Sequence, residues 1–137
     1  MLESMLNGLS LVFTWPAIGY LFLGILIGMW MGAVPGLGGI IGLVLLLPFT
    51  YEMEAVPAFA LLLGMYAVTS TSDTIASVML GIPGTSASQA TVLDGYPLAK
   101  KGQAARALSA AFFSSLFGGL FGAILLTCLR IFGSVLI

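Results

Sequence analysis

The 137-residue chain is 60% hydrophobic and 7% charged, with four basic and five acidic side chains. Charge this sparse excludes a nucleic-acid-binding surface. The lack of histidine and the single Cys128 exclude a disulfide framework within the chain and a His/Cys metal site. Apolar runs recur, and about 20 such residues at 1.5 Å rise cross a hydrocarbon core of roughly 30 Å. The composition predicts a protein whose solvent is a lipid bilayer.

The opening, MLESMLNGLSLVF, has no positively charged start, and its apolar run continues past the length of a signal-peptide core. It reads as a retained membrane segment. A first span is expected over 15–34, with Trp15 and Tyr20 suiting an interfacial end. Gly24, Gly28 and Gly32, at spacing four, fall on one helical face, where small residues let a second helix approach closely. The run Val34-Pro35-Gly36-Leu37-Gly38-Gly39 then interrupts the helix, because proline lacks a donor and clashes with the preceding turn while glycine frees the backbone. The apolar segment that follows is too short to span alone. Residues 35–48 are therefore expected to form a broken or re-entrant segment, and a tight extramembrane turn is the alternative. After a short loop carrying Glu52 and Glu54, a second span is expected over 55–80. It is one helix or two pieces meeting near Thr69, and serine and threonine hydroxyls bonded one turn back permit the continuous form.

Thr69 to Asp94 is a polar island in this apolar chain. Polar groups at membrane depth usually face a cavity, a partner or a transported species. Asp73 has three readings: an interfacial helix cap, a cation- or proton-linked group, or a buried pairing with another subunit. Ser70, Thr71, Asp73 and Thr74 form a candidate ion-coupling set for a sodium ion or a proton. Ile82-Pro83-Gly84 repeats the aliphatic-Pro-Gly break of Val34-Pro35-Gly36, so 82–93 is expected to be a second broken segment. Thr85 and Ser86 are suited to cap a helix running toward Val92. The N-terminus of such a helix, with free N–H groups and partial positive charge, would hold a carboxylate without lysine or arginine; the alternative is a structural cap with no ligand. The substrate-binding candidates are Pro35, Gly36, Gly38, Gly39, Pro83, Gly84, Thr85 and Ser86.

Residues 94–106 read as a polar loop, with turn signals at Asp94-Gly95 and Tyr96-Pro97. The loop holds Lys100, Lys101 and Arg106, three of the four basic residues; the positive-inside rule makes them topology determinants and places the loop in the cytoplasm. A last span is expected over 107–129, with Gly118, Gly119 and Gly122 suited to close packing and Cys128 packed as a small hydrophobe. Arg130 then falls near the far interface. The chain stops inside an apolar stretch, GSVLI, as in a truncated or half-length membrane protein.

These motifs, in order and spacing, carry a resemblance. GAVPGLGG over Gly32–Gly39, Ile82-Pro-Gly-Thr-Ser86, Leu93-Asp-Gly-Tyr-Pro-Leu-Ala-Lys-Lys-Gly102 and Ala104-x-Arg106-Ala-Leu108 resemble the N-terminal part of the large membrane subunit of the tripartite tricarboxylate transporters. The likeness runs from about Leu21 onward. It implies an all-α, multi-pass protein of the bacterial inner membrane with helices broken at Pro-Gly motifs, this chain being one repeat of a larger transporter fold. It also implies uptake of tricarboxylates or other organic carboxylates, driven by an ion gradient, together with a small membrane subunit and a periplasmic solute-binding protein. The function is then that of a transporter and not an enzyme, with no cofactor beyond a coupling ion. Two departures stand out. Ser72-Asp73-Thr74 replaces the family's frequent Gly-Gly-Ser, and Gly81 stands where asparagine is frequent, so Asp73 takes no role from the resemblance. The competing function is a non-transporting membrane scaffold whose glycines only pack helices. A hydrolase built on adjacent Ser72 and Asp73 lacks a histidine or nearby lysine to act as base.

Overall fold

The computed structural model describes residues 2–136, without the side chains of residues 2, 4, 5, 131, 132 and 134–136. Met1 and Ile137, the outermost residues of the opening and closing apolar runs, lie outside the described residues. The described chain is all-α. Its helices are α1 (Leu2–Val12), α2 (Ala17–Ala33), α3 (Gly39–Leu46), α4 (Ala55–Leu80), α5 (Gln89–Lys100) and α6 (Ala104–Leu136), with a 3-10 turn over Leu47–Thr50 after α3.

Among the described residues, two helices are long and apolar enough to cross a membrane, α4 over its 26 residues and Ala104–Arg130 of α6. A third crossing exists if α1 and α2, bent by 72° at their junction, count as one. The span expected over 15–34 is thus α2 alone, 17 residues, at the short end of what a bilayer accepts. Trp15, at the bend, is 83% exposed.

The packing centre is the seam between α2 and α4, the most extensive helix contact among the described residues. Gly24, Gly28 and Gly32 lie buried in it. A β-carbon on Gly24 would collide with the Leu61 carbonyl, one on Gly28 with the Met65 carbonyl, and one on Gly32 with the Ser72 hydroxyl. The spacing-four stripe therefore brings backbone onto backbone, where dispersion and interhelical hydrogen bonds replace the hydrophobic drive that lipid removes. Thr69 and Ser72 supply such bonds as the longer arm of a shared one: each hydroxyl, bonded first to its own helix, also lies within reach of the Gly28 carbonyl, at 3.3 and 3.1 Å. Met65, fully buried, also meets α3 at Gly42.

α4 is one continuous helix, which resolves the choice left open at Thr69. Its hydroxyls are absorbed by back-bonding: Thr69 donates to the Met65 carbonyl at 2.7 Å, Ser72 to Val68 at 2.9 Å and Ser77 to Asp73 at 3.1 Å. Gly81, at φ 69°, ends it in the left-handed conformation, a common helix stop that glycine adopts without strain.

Three local expectations are corrected. The stretch read as a loop from Asp94 is helical to Lys100, because α5 continues through Asp94-Gly95 and Tyr96-Pro97. Turn propensity yields there to packing: Gly95 is buried against Val78, and the Tyr96 ring lies against Gly81. The real turn comes later. Gly102 N–H donates to the Ala99 carbonyl and Gln103 N–H to the Leu98 carbonyl, both at 2.9 Å, with Gly102 at φ 77°; this is the Schellman pattern of helix termination. On α6, Gly118, Gly119 and Gly122 have nothing within 4 Å of where a β-carbon would stand. Cys128 is exposed. The α6 face that carries these residues meets no other part of the described chain.

Candidate functional site

The two Pro-Gly interruptions end up facing one another. At the first, α2 stops at Ala33 and Leu37 N–H donates to the Val34 carbonyl at 3.2 Å, with Gly36 at φ 91°. Proline at the second position and a positive-φ glycine at the third are the signature of a type II turn. Gly38 then takes an extended conformation before α3, and a β-carbon on it would meet Thr85 Cγ2 at 3.3 Å. Gly39 lies against the Tyr66 ring of α4.

The second interruption is built differently. The helix expected to start at Thr85 or Ser86 begins four residues after Thr85, at Gln89, with Ser88 as its N-terminal flanking residue. Ser88 closes the intervening turn, accepting from Thr85 N–H at 3.2 Å and donating to the Thr85 carbonyl at 2.9 Å. Thr85 and Ser86 are therefore loop residues. What fixes the loop is Asp73, about one α4 turn before Ser77. Its Oδ1 accepts from Gly84 N–H at 3.0 Å and its Oδ2 from the Thr85 hydroxyl at 2.6 Å. Asp73 is 3% exposed, and its buried carboxylate holds a loop eleven residues on.

Between the loops lies a cavity of about 600 Å³. The first break lends it Gly36, Gly38 and Gly39; α3 lends Ile40 and Ile41; α4 lends Tyr66, Thr69, Ser70, Asp73 and Thr74. The second break lends Gly84, Thr85, Ala87 and Ser88, with Thr91 from α5 and Ser115 from α6. Its lining sets backbone and hydroxyl groups and a single carboxylate among the apolar surfaces of Ile40, Ile41, Tyr66 and Ala87, with no lysine or arginine among those residues. Of the residues singled out from sequence, Gly36, Gly38, Gly39, Gly84, Thr85, Ser70, Asp73 and Thr74 line it. Pro35, Pro83, Ser86 and Thr71 do not: Pro83 and Ser86 are exposed on the loop, and the Thr71 hydroxyl turns back to the Ala67 carbonyl. Ser72, beside Asp73 in sequence, points to α2 instead, so the two form no dyad.

Eight lining residues escaped the sequence reading, and five of them bear hydroxyls: Tyr66, Thr69, Ser88, Thr91 and Ser115. A signal existed for the first two. Tyr66, Thr69, Ser70, Asp73 and Thr74 follow the i, i+3, i+4, i+7, i+8 spacing of one helix face, a polar stripe that a continuous α4 makes legible. Ser115 has no local signal, since only the docking of α6 brings it there. Lys100, Lys101 and Arg106 are exposed and gather at the junction of α5 and α6, away from the lining. Lys100 Nζ stands 4.7 Å from the Tyr96 ring centroid, within cation–π reach. Among the described residues no group of three or more Cys, Asp or Glu side chains is placed to hold a metal ion.

The model of the tripartite tricarboxylate transporter TctA family matches residues 18–136. A similar curated protein is an "uncharacterized 52.8 kDa protein in TAR-I ttuC' 3'region" of Agrobacterium vitis, 34% identical over 109 residues. The match takes in 80% of this chain but 22% of that relative's length. No solved structure matches.

Proposed function

The chain belongs to the tripartite tricarboxylate transporter TctA family, a family of transporters and not of enzymes, and from that premise we propose that it forms part of a membrane subunit for ion-gradient-driven uptake of organic carboxylates. The observation that carries this reading is the cavity of about 600 Å³ between the two Pro-Gly loops, beside a helix long enough to span a bilayer. Irregular backbone at membrane depth is stable where it is buried in protein or lines a cavity, and interrupted helices around a central site are a recurrent transporter design. The volume suits a small organic acid.

In this reading Gly36, Gly38, Gly39, Gly84 and Thr85 contact the substrate, and Ser70, Asp73 and Thr74 serve the coupling ion, sodium or a proton. The subunit lies in the bacterial inner membrane and crosses it several times, with Lys100, Lys101 and Arg106 on the cytoplasmic side. It works with a small membrane subunit and a periplasmic solute-binding protein, and the present chain is one repeat of the larger fold. The α2 glycines only pack helices, as a scaffold would require. The break glycines, in contrast, line the cavity, which favours transport.

The test is uptake of labelled citrate by the complete complex in proteoliposomes under an imposed sodium or proton gradient. Thr85→Val should cut uptake at least about tenfold, the effect of losing one charge-assisted hydrogen bond in a dry site. Ser86→Ala, off the cavity, should leave uptake near normal. Gradient-independent uptake, or equal effects of the two variants, would overturn the assignment.

A further inference from the structure

The second Pro-Gly loop offers one backbone N–H and one hydroxyl, aimed at the two oxygens of the same carboxylate. That is the geometry of a carboxylate receptor without formal charge. The carboxylate in it belongs to the chain: Asp73 Oδ1 takes Gly84 N–H and Oδ2 takes the Thr85 hydroxyl. The seat is shaped for this occupant, because a β-carbon at Gly84 would collide with Asp73 Oδ1. The other walls bring no cationic side chain to Asp73, so the loop donors are what holds its oxygens, and these same donors front the cavity.

We propose that Asp73 is a specificity-determining residue that occupies the seat of a substrate carboxylate, which enters by exchanging with it at Gly84 N–H and the Thr85 hydroxyl. This rests on the carboxylate-uptake reading. Exchange is required because two carboxylates on one donor pair in a low-dielectric cavity repel strongly. The resident carboxylate lowers the affinity of any ligand below that of the bare loop. It thereby selects ligands that add contacts elsewhere in the cavity, and an acid offering a single carboxylate and nothing more gains little by displacing it.

The experiment is citrate binding to the full-length subunit with its partner subunits in nanodiscs. Asp73→Asn and Asp73→Ser replace the charged competitor by a weaker neutral one, and citrate should bind roughly tenfold tighter in both. Thr85→Val should weaken binding and abolish the gain when combined with Asp73→Asn. A merely structural Asp73 would give weaker binding in every variant. Wild-type protein that binds citrate while the Asp73 variants bind it no tighter overturns the exchange alone. Wild-type protein that binds neither citrate nor other small organic acids overturns the uptake reading, and the exchange with it. Should the Asp73 variants fail to fold, Ala87→Cys in a subunit with every other cysteine replaced reports on the loop. Saturating citrate should speed its maleimide labelling as the loop leaves α4, and an unchanged rate overturns the exchange.

Discussion

The glycines of α2 and those of α6 are alike in sequence and opposite in structure. Gly24, Gly28 and Gly32 are buried where α4 carbonyls press against them, whereas Gly118, Gly119 and Gly122 have open space beside them. Both sets are small residues on an apolar helix, and both suggested close packing. The difference is that α4 runs parallel to α2 with a matching polar edge, Thr69 and Ser72, whose hydroxyls reach the buried Gly28 carbonyl. A small-residue stripe thus marks a permitted approach, and a partner's donors convert it into a contact.

Substitutions can break or sharpen that contrast. The largest effect is expected for Gly28→Val, whose branched side chain must enter the Met65 backbone. Overpacking of this kind costs about 3 kcal/mol, and the yield of folded protein in detergent should collapse. Gly36→Ala, which forces a β-carbon onto φ 91°, should cost about 1–2 kcal/mol, read as a lowered midpoint of thermal unfolding in nanodiscs. Ser72→Ala removes one interhelical hydroxyl bond and should cost about 0.6 kcal/mol, the usual size of such bonds in membrane proteins. Gly119→Ala should be the mildest and opposite in sign, a gain of about 0.5 kcal/mol from helix propensity alone. A loss at Gly119 comparable to that at Gly28 would show the α6 face packed against another element in the membrane, and the contrast would vanish.

Which features were legible from sequence follows from the range of the forces that set them. The two Pro-Gly breaks are local consequences of proline geometry and glycine freedom, so Pro35 and Pro83 announced them. The α2 stripe was legible because helical spacing alone aligns its residues. The course of α5 was not, since Asp94-Gly95 and Tyr96-Pro97 carry turn chemistry that burial against Val78 and Gly81 overrides. The late start of α5 was missed for a related reason: Thr85 satisfies Asp73 in place of its own helix. For the cavity, sequence supplied both loops and most of the α4 stripe, but Thr91 and Ser115 enter only through the packing of α5 and α6. The partner of Asp73 was equally out of reach, because nothing local pairs a residue with one eleven positions on.

The back-bonded hydroxyls of α4 have a further effect on its surroundings. Thr69 and Ser70 each spend their proton on a carbonyl of their own helix, at 2.7 and 3.3 Å. A hydroxyl so committed turns only lone pairs outward. At Thr69 and Ser70 the α4 wall consequently meets a guest with electron pairs and not with protons. A proton-bearing end of a guest would find a preferred place along that stretch before any net charge is counted.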